Sequence, residues 1–95
     1  MAAYVIVDVE VTDPERYEEY KAMVPPTLAA YGGKFLVRGG DIDHIEPGFE
    51  FNRIVILEFE SVDRARAWHD SPEYAEALAL RKATTNSRMM VVEGV

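Results

Sequence analysis

The residue of this sequence best suited to recognising a small acidic molecule is Arg38. It ends the run Phe35-Leu36-Val37-Arg38, in which side chains alternate as they do in a β-strand. On that alternation Arg38 shares a face with Leu36, and the matching positions of the neighbouring strands include Asp8 and Glu58. A guanidinium enclosed in an apolar sheet needs carboxylate partners, because an unpaired buried charge is very unfavourable.

Two roles for Arg38 remain open at this point. In one, Arg38, Asp8 and Glu58 form a structural ion-pair network that ties strands or subunits together. In the other, Arg38 anchors the carboxylate of a small acidic ligand, since its planar guanidinium suits bidentate binding. The two differ in whether a closed cavity that excludes water meets Arg38.

Aromatic side chains on the apolar stripes of two predicted helices could line a pocket next to Arg38. Core packing explains such helical spacing by itself. Rings that carry a few polar atoms are also what line small-molecule pockets. The predicted ligand-binding residues, placed between sheet and helices, are Tyr20, Arg38, Trp68, Tyr74 and Arg81.

His44 is the candidate catalytic residue, as a general base, because imidazole titrates near neutral pH. Its neighbours Asp41, Asp43 and Glu46 raise the question of a metal site. If the segment is a strand, its side chains alternate, so that His44 shares a face with Glu46 alone. One histidine and one carboxylate are too few ligands, and we expect no metal site.

Composition disfavours several other function classes. The chain has 95 residues, expected to form a single domain over residues 1–95, and no cysteine for a disulfide or a thiolate nucleophile. A formal net charge of −7 at pH 7 disfavours binding to nucleic acid. No signal peptide and no membrane span are recognisable, so we expect a cytoplasmic protein. Since cysteines are missing, each segment has a single histidine and no phosphate-binding loop is present, we expect no cofactor, whether metal, haem or flavin.

The elements that must position these residues follow the order β-α-β-β-α-β. Strands are predicted for Tyr4 to Val11, from Lys34, for Arg53 to Glu60, and for Arg88 to Glu93. The first helix begins at Thr12-Asp13-Pro14-Glu15 and ends at Gly32-Gly33, where glycine tolerates the required positive φ. The second begins at Ser61 and is restarted by Ser71-Pro72.

Two irregularities are expected within these elements. Pro25-Pro26 should kink or break the first helix, leaving the carbonyls of Lys21 and Ala22 without their usual N–H partners. Gly39-Gly40 indicates a bulge where the second strand bends.

Right-handed crossovers give this order a ferredoxin-like α+β fold, a four-stranded antiparallel sheet with two helices on one face. The opposite face of the sheet remains apolar. Its expected members include Tyr4, Ile6, Leu36, Ile54, Ile56 and Met90. Such a face is too apolar to remain in water, so we expect a homodimer whose two sheets enclose a shared core.

Six segments in the right order resemble the domain-of-unknown-function 1330 family over about residues 4–94. They are residues 12–20 (Thr-Asp-Pro-Glu-Arg-Tyr-Glu-Glu-Tyr), 31–40 (Tyr-Gly-Gly-Lys-Phe-Leu-Val-Arg-Gly-Gly), 56–61 (Ile-Leu-Glu-Phe-Glu-Ser), 68–74 (Trp-His-Asp-Ser-Pro-Glu-Tyr), 80–81 (Leu-Arg) and 92–94 (Val-Glu-Gly). The resemblance implies a dimeric α+β barrel, a fold shared with cofactor-free monooxygenases, haem-degrading enzymes, muconolactone isomerases and stress-response proteins. It implies no activity, because a fold does not determine function.

Two functions therefore remain open. The first is binding, or cofactor-independent transformation, of a small organic molecule between sheet and helices. The alternative is a structural or regulatory dimer without a ligand, whose polar core residues serve packing alone.

Overall fold

The computed structural model describes residues 1–95 and has four strands and three helices. The strands are β1 (Ala3–Val11), β2 (Lys34–Arg38), β3 (Arg53–Phe59) and β4 (Thr85–Glu93). The helices are α1 (Pro14–Tyr31), α2 (Val62–His69) and α3 (Pro72–Thr84). The predicted order is confirmed, with the second helical region divided in two ahead of Pro72. Strand β4 begins three residues earlier than the sequence indicated, at Thr85 rather than Arg88.

The strands form one antiparallel sheet in the order β2-β3-β1-β4, which confirms the ferredoxin-like fold. Val5, Val7 and Val9 of the inner strand β1 are buried under the helices, as their alternation predicted. Next to them, β3 buries Leu57 and Phe59. The two ends of the chain meet where β1 begins and β4 ends, and there the N–H of Gly94 donates to the carbonyl of Ala2 over 2.7 Å.

The helix ends follow the predicted capping signals. The side chains of Asp13, Ser61 and Ser71 accept hydrogen bonds from backbone N–H groups in the first turns of α1, α2 and α3. Helix α1 ends at Gly32, which has a φ of 72°, a left-handed conformation that glycine adopts without steric strain.

Of the kink or break expected at Pro25-Pro26, the break does not occur, because helix α1 continues through both prolines. The turns on both sides are held by burial, since Val24 and Leu28 belong to the core. Thr27 adds a hydrogen bond from its hydroxyl to the carbonyl of Val24 at 2.6 Å. Tertiary packing therefore outweighs the local preference of the prolines.

The bulge of β2 lies at Leu36, and its predicted position at Gly39-Gly40 was wrong. Phe35 pairs with Leu57, but the next pair along is Val37 with Ile56, so Leu36 is the extra residue. The glycine pair follows the end of the strand instead, with Gly39 at a φ of 70°.

Residues 39–52 form neither strand nor helix, and residues 41–52 are exposed. The strand alternation expected for Asp41, Asp43, His44 and Glu46 is therefore absent, because this acidic segment belongs to a loop between β2 and β3. None of the helices is long and apolar enough to cross a membrane.

Candidate functional site

A cavity of about 30 Å³ lies between the sheet and the helices. Its walls are mainly apolar. The strands contribute Val7, Val9, Phe35, Arg38, Arg53, Val55, Leu57 and Met89, and the helices contribute Tyr17, Tyr20, Lys21, Val24, Trp68 and Arg81. A cavity of this volume admits water but no larger molecule unless a side chain moves.

The charges around this cavity are all positive. It is lined by Lys21, Arg38, Arg53 and Arg81, and by no aspartate or glutamate. Lys21 pairs with Glu18 at 3.0 Å, whereas the ion pairs of the structure include no arginine. Three guanidinium groups without a carboxylate partner therefore surround one apolar space, in a chain whose net charge is −7.

Arg81 is the most deeply buried of these cations, with only 6% of its surface exposed. It lies in the last turn of α3, where a cation is favoured by the helix dipole. Its Nη1 donates to the Ser87 hydroxyl at 2.6 Å, but its Nε has no hydrogen-bond partner. A buried guanidinium without a carboxylate partner is unfavourable by itself and is suited to an anion.

Arg38 lies on the helix side of the sheet because the bulge at Leu36 reverses its alternation. It pairs with Val55, two residues from the buried Leu57, so it shares a face with Phe35 rather than with Leu36. Its guanidinium lies 4.3 Å from the centre of the Phe35 ring, and the residue is exposed.

The predicted association of Arg38 with Asp8 and Glu58 is wrong. Asp8 instead accepts a hydrogen bond of 2.9 Å from the backbone N–H of Asn52, and Glu58 pairs with Lys34 at 2.9 Å. The physical reason is the bulge, which turns Arg38 away from the face that these two acids occupy. A structural ion-pair network of Arg38, Asp8 and Glu58 does not exist in this structure.

Two phenols meet beside the cavity. The hydroxyls of Tyr20 and Tyr74 lie 2.8 Å apart. Burial is the main cause that raises the pKa of both phenols, while the positive charge of Arg81 acts in the opposite direction. Both phenols are therefore neutral at physiological pH, and one of their two hydroxyl protons is used in the hydrogen bond between them.

Trp68 supports this pair from the side of α2. Its ring centre lies 4.2 Å from that of Tyr74, and its indole N–H donates to the Thr27 hydroxyl at 3.0 Å. Of the five predicted ligand-binding residues, Tyr20, Arg38, Trp68 and Arg81 line the cavity. Tyr74 does not line the cavity, but its hydroxyl contacts the hydroxyl of Tyr20, which does. That these residues bind a ligand stays a prediction.

Sequence reasoning missed two residues of this site, Arg53 and Tyr17. The Nε of Arg53 donates to the Tyr17 hydroxyl at 3.2 Å, and the Tyr17 ring stacks on that of Tyr20 with centres 5.5 Å apart. Arg53 was identifiable, because it shares the alternation of Val55 and Leu57 on a strand without a bulge.

The structure does not bring His44 to the cavity. It lies in the exposed 39–52 loop, where its ring is 5.7 Å from that of Phe49. No group of three or more histidine, aspartate or glutamate side chains is placed to hold a metal ion. His44 as a general base remains without a neighbouring site residue.

A family model described as "Domain of unknown function (DUF1330)" matches residues 2–95. A search of the curated proteins found no match to this sequence.

Solved structures share the fold at low sequence identity. A protein of unknown function from Rhodopseudomonas palustris, RPA0582, is 21% identical with a TM-score of 0.78, over 99% of this chain and 82% of that one. A dimeric ferredoxin-like protein of unknown function from Jannaschia sp. CCS1 is 18% identical with a TM-score of 0.76, over 99% and 100% of the two chains. SnoaB, a cofactor-independent oxygenase from Streptomyces nogalater, is 13% identical with a TM-score of 0.60, over 99% and 93%.

Proposed function

This chain belongs to the DUF1330 family, and we propose that it binds a small acidic organic molecule in the cavity between sheet and helices. The observation that carries this proposal is the environment of Arg81. Its guanidinium is buried, lacks a carboxylate partner and keeps a free Nε donor next to an apolar space. A carboxylate bound there would supply both the missing charge and the missing acceptor.

The rest of the cavity indicates the apolar part of such a ligand. Its walls are aromatic and aliphatic, and the stacked rings of Tyr17 and Tyr20 are among them. The 30 Å³ of the ligand-free cavity must expand on binding. Arg38 is the side chain that permits this, because it is exposed and can leave the Phe35 ring without disturbing the core.

We propose that the protein acts as a homodimer. Val37, Ile56, Ile6 and Met90 pair in one row across all four strands, on the sheet face opposite the helices. Met90 exposes 59% of its surface and Val92 exposes 47%. Structural neighbours described as dimeric support the proposal, since their folds resemble this one.

Catalysis without a cofactor is the second candidate function. The observation that favours it is the Tyr20–Tyr74 pair, in which one hydroxyl proton bonds the two phenols and the other could be donated to an oxygen that becomes negative during a reaction. SnoaB shows that this fold can carry an oxygenase. The competing hypothesis of a structural or regulatory dimer requires that no acid binds in the cavity. A cytoplasmic location stays a prediction.

Isothermal titration calorimetry with benzoate as the probe tests the proposal. We expect saturable binding to the wild type and its loss in Arg81→Gln, which removes the buried charge. Arg66→Gln is the matched control, because Arg66 is exposed on α2 and does not line the cavity. Equal binding by both variants, or no binding of benzoate or any other small acid by the wild type, would contradict the proposal.

A further inference from the structure

We propose that the preferred ligand carries two separated anionic groups, one bound at Arg53 and the other at Arg81. This inference rests on the proposed function and names its ligand class, a dicarboxylic acid with a flat apolar middle.

Arg53 and Arg81 flank one row of residues that crosses three strands. Arg53 of β3 pairs with Val9 of β1, and Val9 pairs on its other side with Ser87 of β4. The Ser87 hydroxyl holds the Nη1 of Arg81 at 2.6 Å. Two strand spacings separate the ends of this row, which amounts to about 10 Å between backbones. Val9 and Arg53 line the cavity themselves, and Ser87 positions Arg81, which lines it as well.

The charge at the cavity exceeds what a single carboxylate can balance. Arg38, Arg53 and Arg81 line it together, and none has an acidic partner. A monoanion at Arg81 would leave the repulsion between the two other guanidinium groups uncompensated. A dianion whose charges lie apart balances Arg81 at one end and Arg53 at the other, with Arg38 next to Arg53 on the neighbouring strand.

Both arginines retain free donors for a carboxylate. The Nε of Arg81 has no partner, and only the Nε of Arg53 is engaged, by the Tyr17 hydroxyl at 3.2 Å. The Nη groups of Arg53 lie against Gly39, where any side chain would collide with them. The missing Cβ of Gly39 thus leaves room for the Arg53 guanidinium in its present position.

Apart from its cationic residues, the cavity is lined by aliphatic side chains and aromatic rings. Val9 forms its floor with 3% of its surface exposed, and the stacked Tyr17 and Tyr20 rings line the same space. A benzene ring with a carboxylate at each end matches this arrangement, because its middle needs no hydrogen bond.

Calorimetric titration with terephthalate, benzoate and phenyl phosphate tests the inference. These probes share one ring and differ in carrying two separated charges, one charge, or a doubly charged group at one end. We expect terephthalate to bind the wild type at least about tenfold more tightly than either of the others, as an added charged hydrogen bond implies. Arg53→Gln should reduce terephthalate affinity to about that of benzoate and change benzoate affinity far less, whereas Arg66→Gln should change neither.

Several results would overturn the inference. Equal affinity for benzoate and terephthalate, with both lost in Arg81→Gln, would refute two-ended binding and leave the proposed function intact. Tightest binding of phenyl phosphate would show that total charge, not separation, decides recognition. If Arg53→Gln bound terephthalate as tightly as the wild type does, Arg53 would not be part of the binding site. If the wild type binds none of the three, this inference fails together with the proposed function. The comparison of probes on the wild type needs no variant to fold.

Discussion

The Nη2 of Arg38 donates a hydrogen bond of 2.7 Å to the backbone carbonyl of Lys21. Within a regular helix this carbonyl would accept from the N–H of residue 25, but Pro25 has none. The proline thus creates an acceptor on α1, and the bulge at Leu36 turns Arg38 towards it. A strand side chain thereby replaces a missing bond of the helix, at the edge of the cavity.

Replacing Arg38 by methionine should leave the stability of the protein nearly unchanged. The side chain is exposed and has no carboxylate partner, and water can take its place at the Lys21 carbonyl. We expect a change of less than about 1 kcal/mol in the free energy of unfolding, measured by urea denaturation. Acid affinity should fall in the same variant. A loss of about 3–5 kcal/mol would instead indicate a structural charge network.

Pro25→Ala should stabilise the helix and weaken the hold on Arg38. The new N–H can bond to the Lys21 carbonyl, with a gain of about 1–3 kcal/mol in unfolding free energy. Pro26→Ala is the matched control, since its N–H reaches the carbonyl of Ala22 and leaves Arg38 in place. Both variants should resist more urea, but only Pro25→Ala should alter terephthalate affinity. If both variants changed the affinity, the hydrogen bond between Arg38 and the Lys21 carbonyl would not be the cause of the change.

Arg81→Met should make the ligand-free protein more stable while it abolishes acid binding. An uncompensated buried charge is replaced by an apolar chain of similar length, which favours the folded state by about 1 kcal/mol or more. Lys82→Met, an exposed change in the next residue of α3, should do neither. Thermal denaturation with and without benzoate measures both effects. Destabilisation by Arg81→Met beyond that of Lys82→Met would mark Arg81 as structural.

The two buried phenols should make stability fall in strong base. Burial raises the pKa of Tyr20 and Tyr74 above the ordinary value of 10.0 that they have when unfolded. The unfolded chain therefore releases these protons first, so the contribution of the two phenols to stability should be constant up to about pH 10 and be lost above it. The double variant Tyr20→Phe/Tyr74→Phe should show a shallower fall in urea denaturation series. An identical pH profile in the variant would contradict this assignment.

Ile56→Glu should convert a dimer into monomers. Ile56 pairs with Ile6 and Val37 in the apolar row on the outer face of the sheet, where a carboxylate would be desolvated by a second copy. Ile45→Glu is the control, because Ile45 lies in the 39–52 loop with 92% of its surface exposed. Light scattering on dilution measures the mass. A wild type that is monomeric and folded would contradict the dimer.

The sequence predicted those parts of the fold in which local and tertiary preferences agree. The alternation of β1 and β3, the caps at Asp13, Ser61 and Ser71, and the glycine stop at Gly32 each follow from one local signal. The loss of a helical partner at the Lys21 carbonyl was also predictable, because it depends only on the absent N–H of Pro25.

The candidate site was harder to predict because it depends on register. No residue type marks Leu36 as a bulge, yet that single extra residue moves Arg38 to the helix side of the sheet and away from Asp8 and Glu58. The strand expected for Asp41 to Glu46 is absent, and it was mispredicted because charged residues of this kind are as common in loops as in exposed strands. Arg53 was overlooked since a charge at the start of a strand is usually exposed, although its alternation with Val55 and Leu57 placed it on the helix side of the sheet.

Because the two chain ends lie next to each other at the β1–β4 pair, the strands could follow one another in a different order along the chain. Ala3 pairs with Glu93, and Gly94 is bonded to Ala2 at 2.7 Å, so a short peptide can join the two ends without crossing the sheet. A circularly permuted gene opened in the exposed 39–52 loop would retain every strand pairing of the native sheet. It would turn β2 and β3, now joined by that loop, into the last and first strands of the chain. The fold thus depends on the contacts between strands and not on the order in which the strands are synthesised.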